Sequence, residues 1–339
     1  MVHSAMSNGE GPLVAAAGPC YEWVNVTLTA PFAARDGAGA LTLGDRMYLL
    51  GGWNKRDKVN FPKICNSEVW TSTDGLDWKR INAQAPWEGR HTAGWVVHQD
   101  KLWVLGGDCN QRHYQPDLWN SPDGVTWTNV GDDLPWGVRA LQLVYAFKGR
   151  LWAMGGQTMP AFVPGSPEVF YNDVWCSEDG TRWTRVLEHA PWAPRGMSSG
   201  QVVFKDRLWI LGGGTYDTPA TPTRQFYNDV WSTPDGIQWT CHTEHAAWHP
   251  RQYHEVAVWD DRMWVMEGYH KDGGNRKDVW YSDDGVNWTE LPDTPWKPRH
   301  AASLFVHQDA LWMVAGNNME PDVWKLVRRP SGGRAKMNG

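Results

Sequence analysis

The sequence predicts an all-β fold in which six similar units, each of four antiparallel strands, form a ring. Three observations support this prediction: 25 tryptophans, most of them on a repeating grid; a recurring Asp-Gly pair; and a recurring apolar segment that ends in Gly-Gly. Repeats of this length, with four short strands each, are typical of a β-propeller. One blade cannot bury both of its faces alone, so neighbouring blades must stack.

Four columns of tryptophan define the repeat. The first column contains Trp70, Trp119, Trp175, Trp231, Trp280 and Trp324, each two residues after an acid (Glu68, Asp117, Asp173, Asp229, Asp278, Asp322). The second column, eight residues later, contains Trp78, Trp127, Trp183, Trp239 and Trp288. The third contains Trp103, Trp152, Trp209, Trp264 and Trp312, and the fourth contains Trp87, Trp136, Trp192, Trp248 and Trp296. Large aromatic side chains at these positions are suited to packing within and between blades.

The grid places each strand of a unit. Strand a follows a Pro-Trp-x-x-Arg segment, and strand b is the apolar segment before Gly-Gly, as in Leu102-Trp103-Val104-Leu105-Gly106-Gly107. Strand c carries the first-column tryptophan, and strand d follows the Asp-Gly pair. Asp-Gly between strand-forming residues predicts a hairpin, because glycine adopts the positive φ of a tight primed turn.

The two chain ends are predicted to share the sixth blade. This unit lacks an Asp-Gly hairpin and therefore its own strand d. Trp23 lies eight residues before Pro31, the spacing that separates Trp78 from Pro86. We therefore expect residues 21–26 to supply the missing strand and remove the open edge. The predicted organisation is a flexible segment 1–20, a six-bladed propeller 21–327 and a flexible basic tail 328–339.

These motifs resemble the kelch repeat, over residues 21–326 and so nearly the whole chain. The resemblance is to propellers such as the central domain of galactose oxidase and a bacterial sialic acid mutarotase. The sequence departs from the pattern where Glu267-Gly268 and Ala315-Gly316 replace Gly-Gly. The Ser/Thr-x-Asp-Gly-x-x-Trp turn is also similar to the sialidase Asp-box. We interpret it as structural, because it recurs in five units and a single active site would not.

Composition limits the function classes. The net charge is −6, the pI is about 6.0, and basic residues are not clustered before the tail, which argues against nucleic-acid binding. No window approaches 18 apolar residues, so we expect no membrane span. The five cysteines form no recurring pair, and residues 1–19 lack the pattern of a secretory signal. We expect a cytoplasmic monomer.

Strand alternation assigns the loops to two faces. The a–b turns and the Asp-Gly hairpins lie on one face, and the d–a and b–c loops on the other. The b–c loops vary in length and composition, and variable loops on a rigid scaffold commonly bind ligands. Aromatic residues in these loops, Trp53, Tyr114, Tyr216 and Tyr269, suit stacking against a sugar ring or packing against a peptide.

An arginine recurs on the same face, four residues after each proline or Ala247. The set is Arg35, Arg90, Arg139, Arg195, Arg251 and Arg299. A guanidinium group grips a carboxylate or phosphate in two places at once, and the kelch resemblance implies such use with acidic peptide segments. Two arrangements are open: the arginines ring the channel mouth and bind an anion, or each pairs with a strand c acid, six for six.

Residues that break the repeat are the other candidates. Glu267 stands where four other units have glycine, and it is the candidate general base; an ion pair with Arg251 is the alternative. His254, in a histidine-rich segment, is placed with the candidate binding residues. The histidine spacings match no zinc signature, so neither a metal nor a cofactor is predicted.

Three functions remain open. The first is binding of a small anionic ligand, such as an acidic sugar, at the arginine-ringed mouth, extending to isomerisation as the mutarotase resemblance implies. The second is a protein-interaction scaffold that docks an acidic peptide on the same face. The third is a metal-dependent oxidase or lyase. The single predicted domain favours the first, and whether the protein is an enzyme stays open.

Overall fold

A computed structural model describes residues 20–108, 113–196, 200–215 and 224–329. These residues form six four-stranded antiparallel sheets and two short ribbons. The innermost strand of each sheet contacts the innermost strands of the two neighbouring sheets, so the sheets close into a ring. The predicted six-bladed β-propeller is therefore confirmed.

The strands are numbered in chain order, and β1 (Cys20–Thr27) belongs to the last blade. Blade 1 contains β2 (Gly39–Leu43), β3 (Arg46–Leu50), β4 (Val69–Ser72) and β5 (Lys79–Asn82). Blade 2 contains β6 (Gly94–His98), β7 (Lys101–Leu105), β8 (Leu118–Ser121) and β9 (Thr128–Gly131). Blade 3 contains β10 (Leu143–Phe147), β11 (Arg150–Met154), the ribbon strands β12 (Gln157–Thr158) and β13 (Val169–Phe170), β14 (Val174–Ser177) and β15 (Trp183–Leu187).

Blade 4 contains β16 (Gln201–Phe204), β17 (Arg207–Gly214), β18 (Phe226–Thr233) and β19 (Thr240–Thr243). Blade 5 contains β20 (Glu255–Trp259), β21 (Arg262–Met266), the ribbon strands β22 (Tyr269–His270) and β23 (Gly274–Asn275), β24 (Val279–Ser282) and β25 (Thr289–Leu291). Blade 6 contains β26 (Ser303–His307), β27 (Ala310–Val314) and β28 (Val323–Arg329), with β1 as its outer strand.

The tryptophan columns pack inside each blade as the grid predicts. The fourth-column aromatic meets the second-column tryptophan nearly edge to face in all six blades. Trp136 and Trp183 are closest, with ring centroids 4.7 Å apart. In blade 6 the second-column partner is Trp23 from the N-terminal strand, 5.8 Å from Trp296. Edge-to-face pairs of this kind add stability beyond the area that they bury.

The predicted closure of the ring is confirmed. Strand β1 pairs antiparallel with β28, with Trp23 opposite Leu326. The Tyr21 hydroxyl donates to Asp260 of blade 5 at 2.5 Å, which ties the strand to the neighbouring blade. Strand β28 continues through Arg328 and Arg329, which we had placed in the tail; Arg328 bonds Asp260 and Arg329 bonds Glu22. Residues 1–19 and 330–339 lie outside the described residues.

The Asp-Gly hairpins form, but their turns are wider than predicted. In blade 1 the loop of residues 73–78 separates the paired strands, where a two-residue primed turn was expected. The Asp74 carboxylate accepts the N–H groups of Leu76 and Asp77 at 2.9 and 2.8 Å, and Trp78 Nε1 donates to the Gly75 carbonyl. These bonds hold the loop internally, which supports the interpretation of the motif as structural.

Two further features follow from the described part of the chain. Cys20, Cys176 and Cys241 are free thiols, and Cys109 lies outside the described residues. The ranges that the structure describes contain no helix of the length and apolar character needed to cross a bilayer.

Removing residues 1–27 should destabilise the whole ring. The deletion strips β1 from β28 and exposes Trp296. The buried Tyr21 and the partly buried Trp23 alone contribute on the order of 3 kcal/mol. We expect urea unfolding to start at a lower concentration or the chain to fail to fold. The control lacks residues 1–19 and keeps β1; equal unfolding midpoints for the two deletions would contradict the closure.

Candidate functional site

The six recurring arginines are paired with acids and buried, which is the second of the two arrangements that the sequence left open. Each guanidinium bonds the strand c acid of its own blade: Arg35–Glu68, Arg90–Asp117, Arg139–Asp173, Arg195–Asp229, Arg251–Asp278 and Arg299–Asp322. The arginines are at most 4% exposed. They do not line the channel mouth, so the geometry gives them no access to a ligand there.

Each arginine is the centre of a larger clamp, shown by blade 2. Arg90 donates to both carboxylate oxygens of Asp117, at 2.6 and 3.0 Å, and to the Gly106 carbonyl at 3.0 Å. The indole of Trp119 donates to the same carboxylate at 2.7 Å. Burial raises the pKa of Asp117, but the bonds from Arg90 and Trp119 outweigh it and hold that pKa below its ordinary value. Both oxygens of the carboxylate thus accept hydrogen bonds from within the blade, which we call the frame together with its arginine clamp.

Glu267 lies between blades 5 and 6 and is fully buried. Its backbone is left-handed, with φ of 53°, because it occupies the first position of a Gly-Gly pair. Oε1 accepts the N–H of Ala302 at 3.2 Å, and burial raises the pKa of the carboxyl to about 8. The candidate general base is therefore sealed from the channel, with Ala302 in the channel wall in front of it.

The position of Glu267 has a structural explanation in the neighbouring blades. At two other junctions a side chain from the next blade bridges to the end of strand b: Gln142 reaches the Leu105 carbonyl at 3.2 Å, and His254 reaches the Leu211 carbonyl at 2.8 Å. In blade 6 the equivalent residue is Ala302, whose side chain is too short to form this bridge. Glu267 makes the contact in the opposite direction, from the end of strand b of blade 5 to the Ala302 N–H. Glu267 thus packs where a polar bridge is needed.

His254 belongs to that set of bridges. It is fully buried, and burial lowers its pKa to about 3, so the ring is neutral. Its Nε2 is held by the Leu211 carbonyl. The structure therefore places His254 inside the frame, away from the surface where we had expected it to bind.

A cavity of about 260 Å³ opens at the mouth of the ring, on the predicted loop face. The d–a loops contribute Asp36, His91, Tyr253 and His300, and the b–c loops contribute Trp53, Asp108, Phe162, Arg224, Tyr269 and Asn317. Two predicted aromatic candidates, Trp53 and Tyr269, thus lie at the cavity. Tyr114 is instead buried, its hydroxyl accepting the N–H of Met159 at 3.0 Å. Tyr216 lies outside the described residues.

Asp36 and Trp53 present two unsatisfied polar atoms at this cavity. Their backbones pair, with N–H···O distances of 3.1 and 3.0 Å. Asp36 Oδ2 accepts from Asn317 at 2.9 Å. Asp36 Oδ1 and Trp53 Nε1 are both buried without a hydrogen-bond partner among the described residues. The two atoms are one hydrogen-bond acceptor and one donor, and they belong to adjacent side chains.

The Asp36 carboxyl titrates near neutrality. Burial raises its pKa to about 6, against the opposing effects of His91 and of the Asn317 bond. Asp36 is therefore mostly ionised at neutral pH although it is only 6% exposed. A buried carboxylate without a cationic partner is unfavourable unless a donor reaches it.

The two cavity histidines add acceptors. His91 Nδ1 lies 3.0 Å from the Asp108 carbonyl, which only accepts, so Nδ1 carries the proton. His300 Nδ1 lies 2.7 Å from Asn275 Oδ1, and burial lowers the pKa of His300 to about 4. When such a ring is neutral and its Nδ1 carries the proton, Nε2 is an acceptor. Together with Asp36 and Asp108, these rings make the cavity rich in acceptors.

The rim of the cavity is held in a left-handed backbone conformation. Thr92, Leu141, Tyr253 and Ala301, each two residues after a clamp arginine, have φ between 51° and 60°. Hydrogen bonds join these residues across blades, from Leu141 N–H to the Thr92 carbonyl at 3.1 Å and from Ala301 N–H to the Tyr253 carbonyl at 2.8 Å. Strained conformations of this kind cluster at ligand sites, where the surrounding structure maintains them.

Asp36 was not selected from the sequence, although a signal was present. It stands directly after a clamp arginine, as do His91 and His300. The arginine is constant in all six blades, whereas the next residue changes from blade to blade. A variable residue that directly follows a constant one, on the loop face, therefore indicates which side chains line the cavity.

The histidine-rich segment is explained by local contacts. His242 stacks on Trp209 with ring centroids 4.4 Å apart, and His245 bonds Asn228 at 3.3 Å. In the described ranges no three His, Cys, Asp or Glu side chains are grouped as a metal ion would require.

Fold and site together define a six-bladed β-propeller with a ligand-sized cavity at one mouth. The chain matches the DUF6242 beta propeller domain over residues 20–328 and belongs to that family. The match supports a β-propeller family; it does not itself identify kelch repeats or a mutarotase.

The Arg299→Met variant should lose about 3–5 kcal/mol of unfolding free energy, because it leaves the buried Asp322 carboxylate without its cation. Both side chains of this pair are at most 2% exposed. Urea denaturation measures the loss. The matched control is Arg182→Met, at a side chain that is 92% exposed. A loss at Arg299 no larger than the control's would show that the clamp is not stabilising.

The Glu267→Gln variant should remove a pH dependence of stability. Because the folded-state pKa is raised from 4.5 to about 8, the folded chain keeps a proton that the unfolded chain releases in this range. Wild-type stability then falls as pH rises from 5 to 8, by at most about 1.4 kcal/mol per pH unit. Measured by urea unfolding, the free energy of unfolding of the variant should rise relative to that of wild type over the same pH range. The exposed control Glu188→Gln should show no such change. Parallel pH profiles for Glu267→Gln and wild type would contradict this.

Proposed function

We propose that this propeller binds a small hydroxyl-rich ligand, such as a monosaccharide, in the mouth cavity. The observation that carries the proposal is the pair of unsatisfied buried atoms, Asp36 Oδ1 and Trp53 Nε1. A buried polar atom without a partner costs about 1–3 kcal/mol. Neighbouring hydroxyl groups both donate and accept, so a sugar edge would satisfy the two atoms at once.

The walls of the cavity support the same class of ligand. Trp53 stacks with His91 at a centroid distance of 6.1 Å, and Tyr269 meets His300 edge-on at 5.8 Å. These contacts fix both aromatic rings before a ligand arrives, which lowers the entropy lost on binding. Aromatic walls with a few placed polar groups are typical of small-molecule sites.

The charges around the cavity favour a neutral or cationic ligand over the anionic one suggested by the sequence. The six clamp arginines are engaged by acids, and the charged residues of the described lining include Arg224, Asp36 and Asp108. An acidic sugar or an acidic peptide would meet two carboxylates there. Docking of an acidic peptide is therefore the less supported alternative, and the described residues provide no observation for metal-dependent chemistry.

Isomerisation is a second candidate, and one residue favours it. The kelch-type resemblance and its mutarotase member imply proton transfer to and from a sugar. Asp36 faces the cavity with a pKa of about 6, close to the working pH that suits a general acid–base group. We assign that role to Asp36 in place of Glu267, which is sealed behind the wall.

The Trp53→Phe variant should weaken sugar binding by about fivefold to tenfold, because it removes the Nε1 donor and keeps an aromatic ring. Calorimetric titration with D-glucose, D-galactose and D-mannose measures the affinity. Trp23→Phe is the matched control, since its Nε1 is also buried without a described partner but lies in the outer strand of blade 6. Failure of all three sugars to bind wild type, or equal weakening by both variants, would refute the proposal.

A further inference from the structure

Asp36 differs from the buried acids that precede strand c in each blade. Each strand c acid has an arginine; Asp322, for example, receives two bonds from Arg299 at 2.7–2.8 Å. Asp36 has only the neutral amide of Asn317. The adjacent Arg35 donates hydrogen bonds to Glu68 and to the Gly51 carbonyl instead of to Asp36. The cavity therefore contains a buried carboxylate whose cation the frame does not supply.

Two other titratable groups act on Asp36. His91 faces it from the next blade and favours its ionised form. Glu267, from blade 5, interacts with it as a like charge when both are ionised. Neither group makes a described hydrogen bond to Asp36. Asp36 lines the cavity, and its Oδ1 is buried without a hydrogen-bond partner among the described residues.

The rest of the lining suits a positive charge. Trp53 and Tyr269 present aromatic faces, which attract cations through the ring quadrupole. Lys55 already lies over the Trp53 ring at 5.9 Å, and Arg224 lies 5.8 Å from the Tyr269 ring centroid. Both rings therefore already contact cationic side chains of this loop face.

We propose that Asp36 binds an ammonium group of the ligand, so that the cavity selects an amine-bearing sugar over its neutral counterpart. The ammonium would donate to Asp36 Oδ1, and Trp53 Nε1 would donate to an adjacent hydroxyl oxygen. The inference rests on the proposed function of this cavity and adds the chemical class of the ligand.

The test compares D-glucosamine with D-glucose, which differ at one substituent, by calorimetric titration at pH 7. Wild type should bind D-glucosamine at least tenfold more tightly. The Asp36→Asn variant should lose this preference, because it removes the charge and keeps an oxygen for Asn317. The control Asp45→Asn removes the same charge from the opposite face, where the Asp45 side chain is 81% exposed, and should keep the preference.

A pH series on wild type gives a readout that needs no variant at Asp36. Affinity for D-glucosamine should fall as pH drops from 7 to 5, because protonation of Asp36 removes its charge, while affinity for D-glucose should change little. Because His91 also acts on the Asp36 carboxyl, the series is repeated in His91→Gln, whose side chain carries no charge. The pH effect should persist there.

The outcomes separate the two proposals. Equal affinities of wild type for the two sugars, or equal weakening of both by Asp36→Asn, would overturn the ammonium site and leave sugar binding intact. Absence of binding by either sugar would overturn the proposed function itself, and the ammonium site with it.

Discussion

The ring depends on one residue type placed identically in each blade, the clamp arginine. Its side chain joins strand a to the acid before strand c within a blade, as Arg90 does with Asp117. Its carbonyl joins blades: Arg90 accepts the N–H of Gly52 from blade 1 at 2.9 Å, and Arg35 accepts that of Gly316 from blade 6 at 2.9 Å. A single residue thus couples the fold within blades and around the ring, which explains why it recurs while the loops vary.

This arrangement has a consequence for function. The six clamp arginines are paired with acids inside the blades. Any ligand chemistry at the mouth therefore depends on residues that differ from blade to blade. The clamp fixes the backbone of each arginine, and this also fixes the backbone of the residue that follows it. Asp36, His91 and His300 are therefore presented by rigid segments, so that little conformational entropy is lost when a ligand binds.

The sequence predicted the ring well because packing repeats. Trp23 could be assigned to blade 6 since its spacing to Pro31 matches that of Trp78, Trp127 and Trp183 to the prolines that follow them, and it meets Trp296 as expected. The partner of each arginine stayed ambiguous, because spacing alone allows a free ring and a paired one. The cavity was not predicted, because it depends on a pairing between Asp36 and Trp53, two irregular loop residues with no periodic signal. The surroundings of Glu267 could not be predicted for a similar reason: they include Ala302, 35 residues away.

Asp36 and Glu267 show how a buried carboxyl behaves when the frame provides no arginine for it. Glu267 is sealed, receives one N–H bond from Ala302 and has a pKa of about 8, so it holds its proton at neutral pH. Asp36 opens to the cavity and has a pKa of about 6, so it releases its proton. The negative charge of Asp36 also raises the pKa of Glu267, so Glu267 keeps its proton while Asp36 is ionised. The neutral Glu267 behind the channel wall therefore helps Asp36 to remain ionised, and a residue that no ligand can touch contributes to the charge that a ligand would meet.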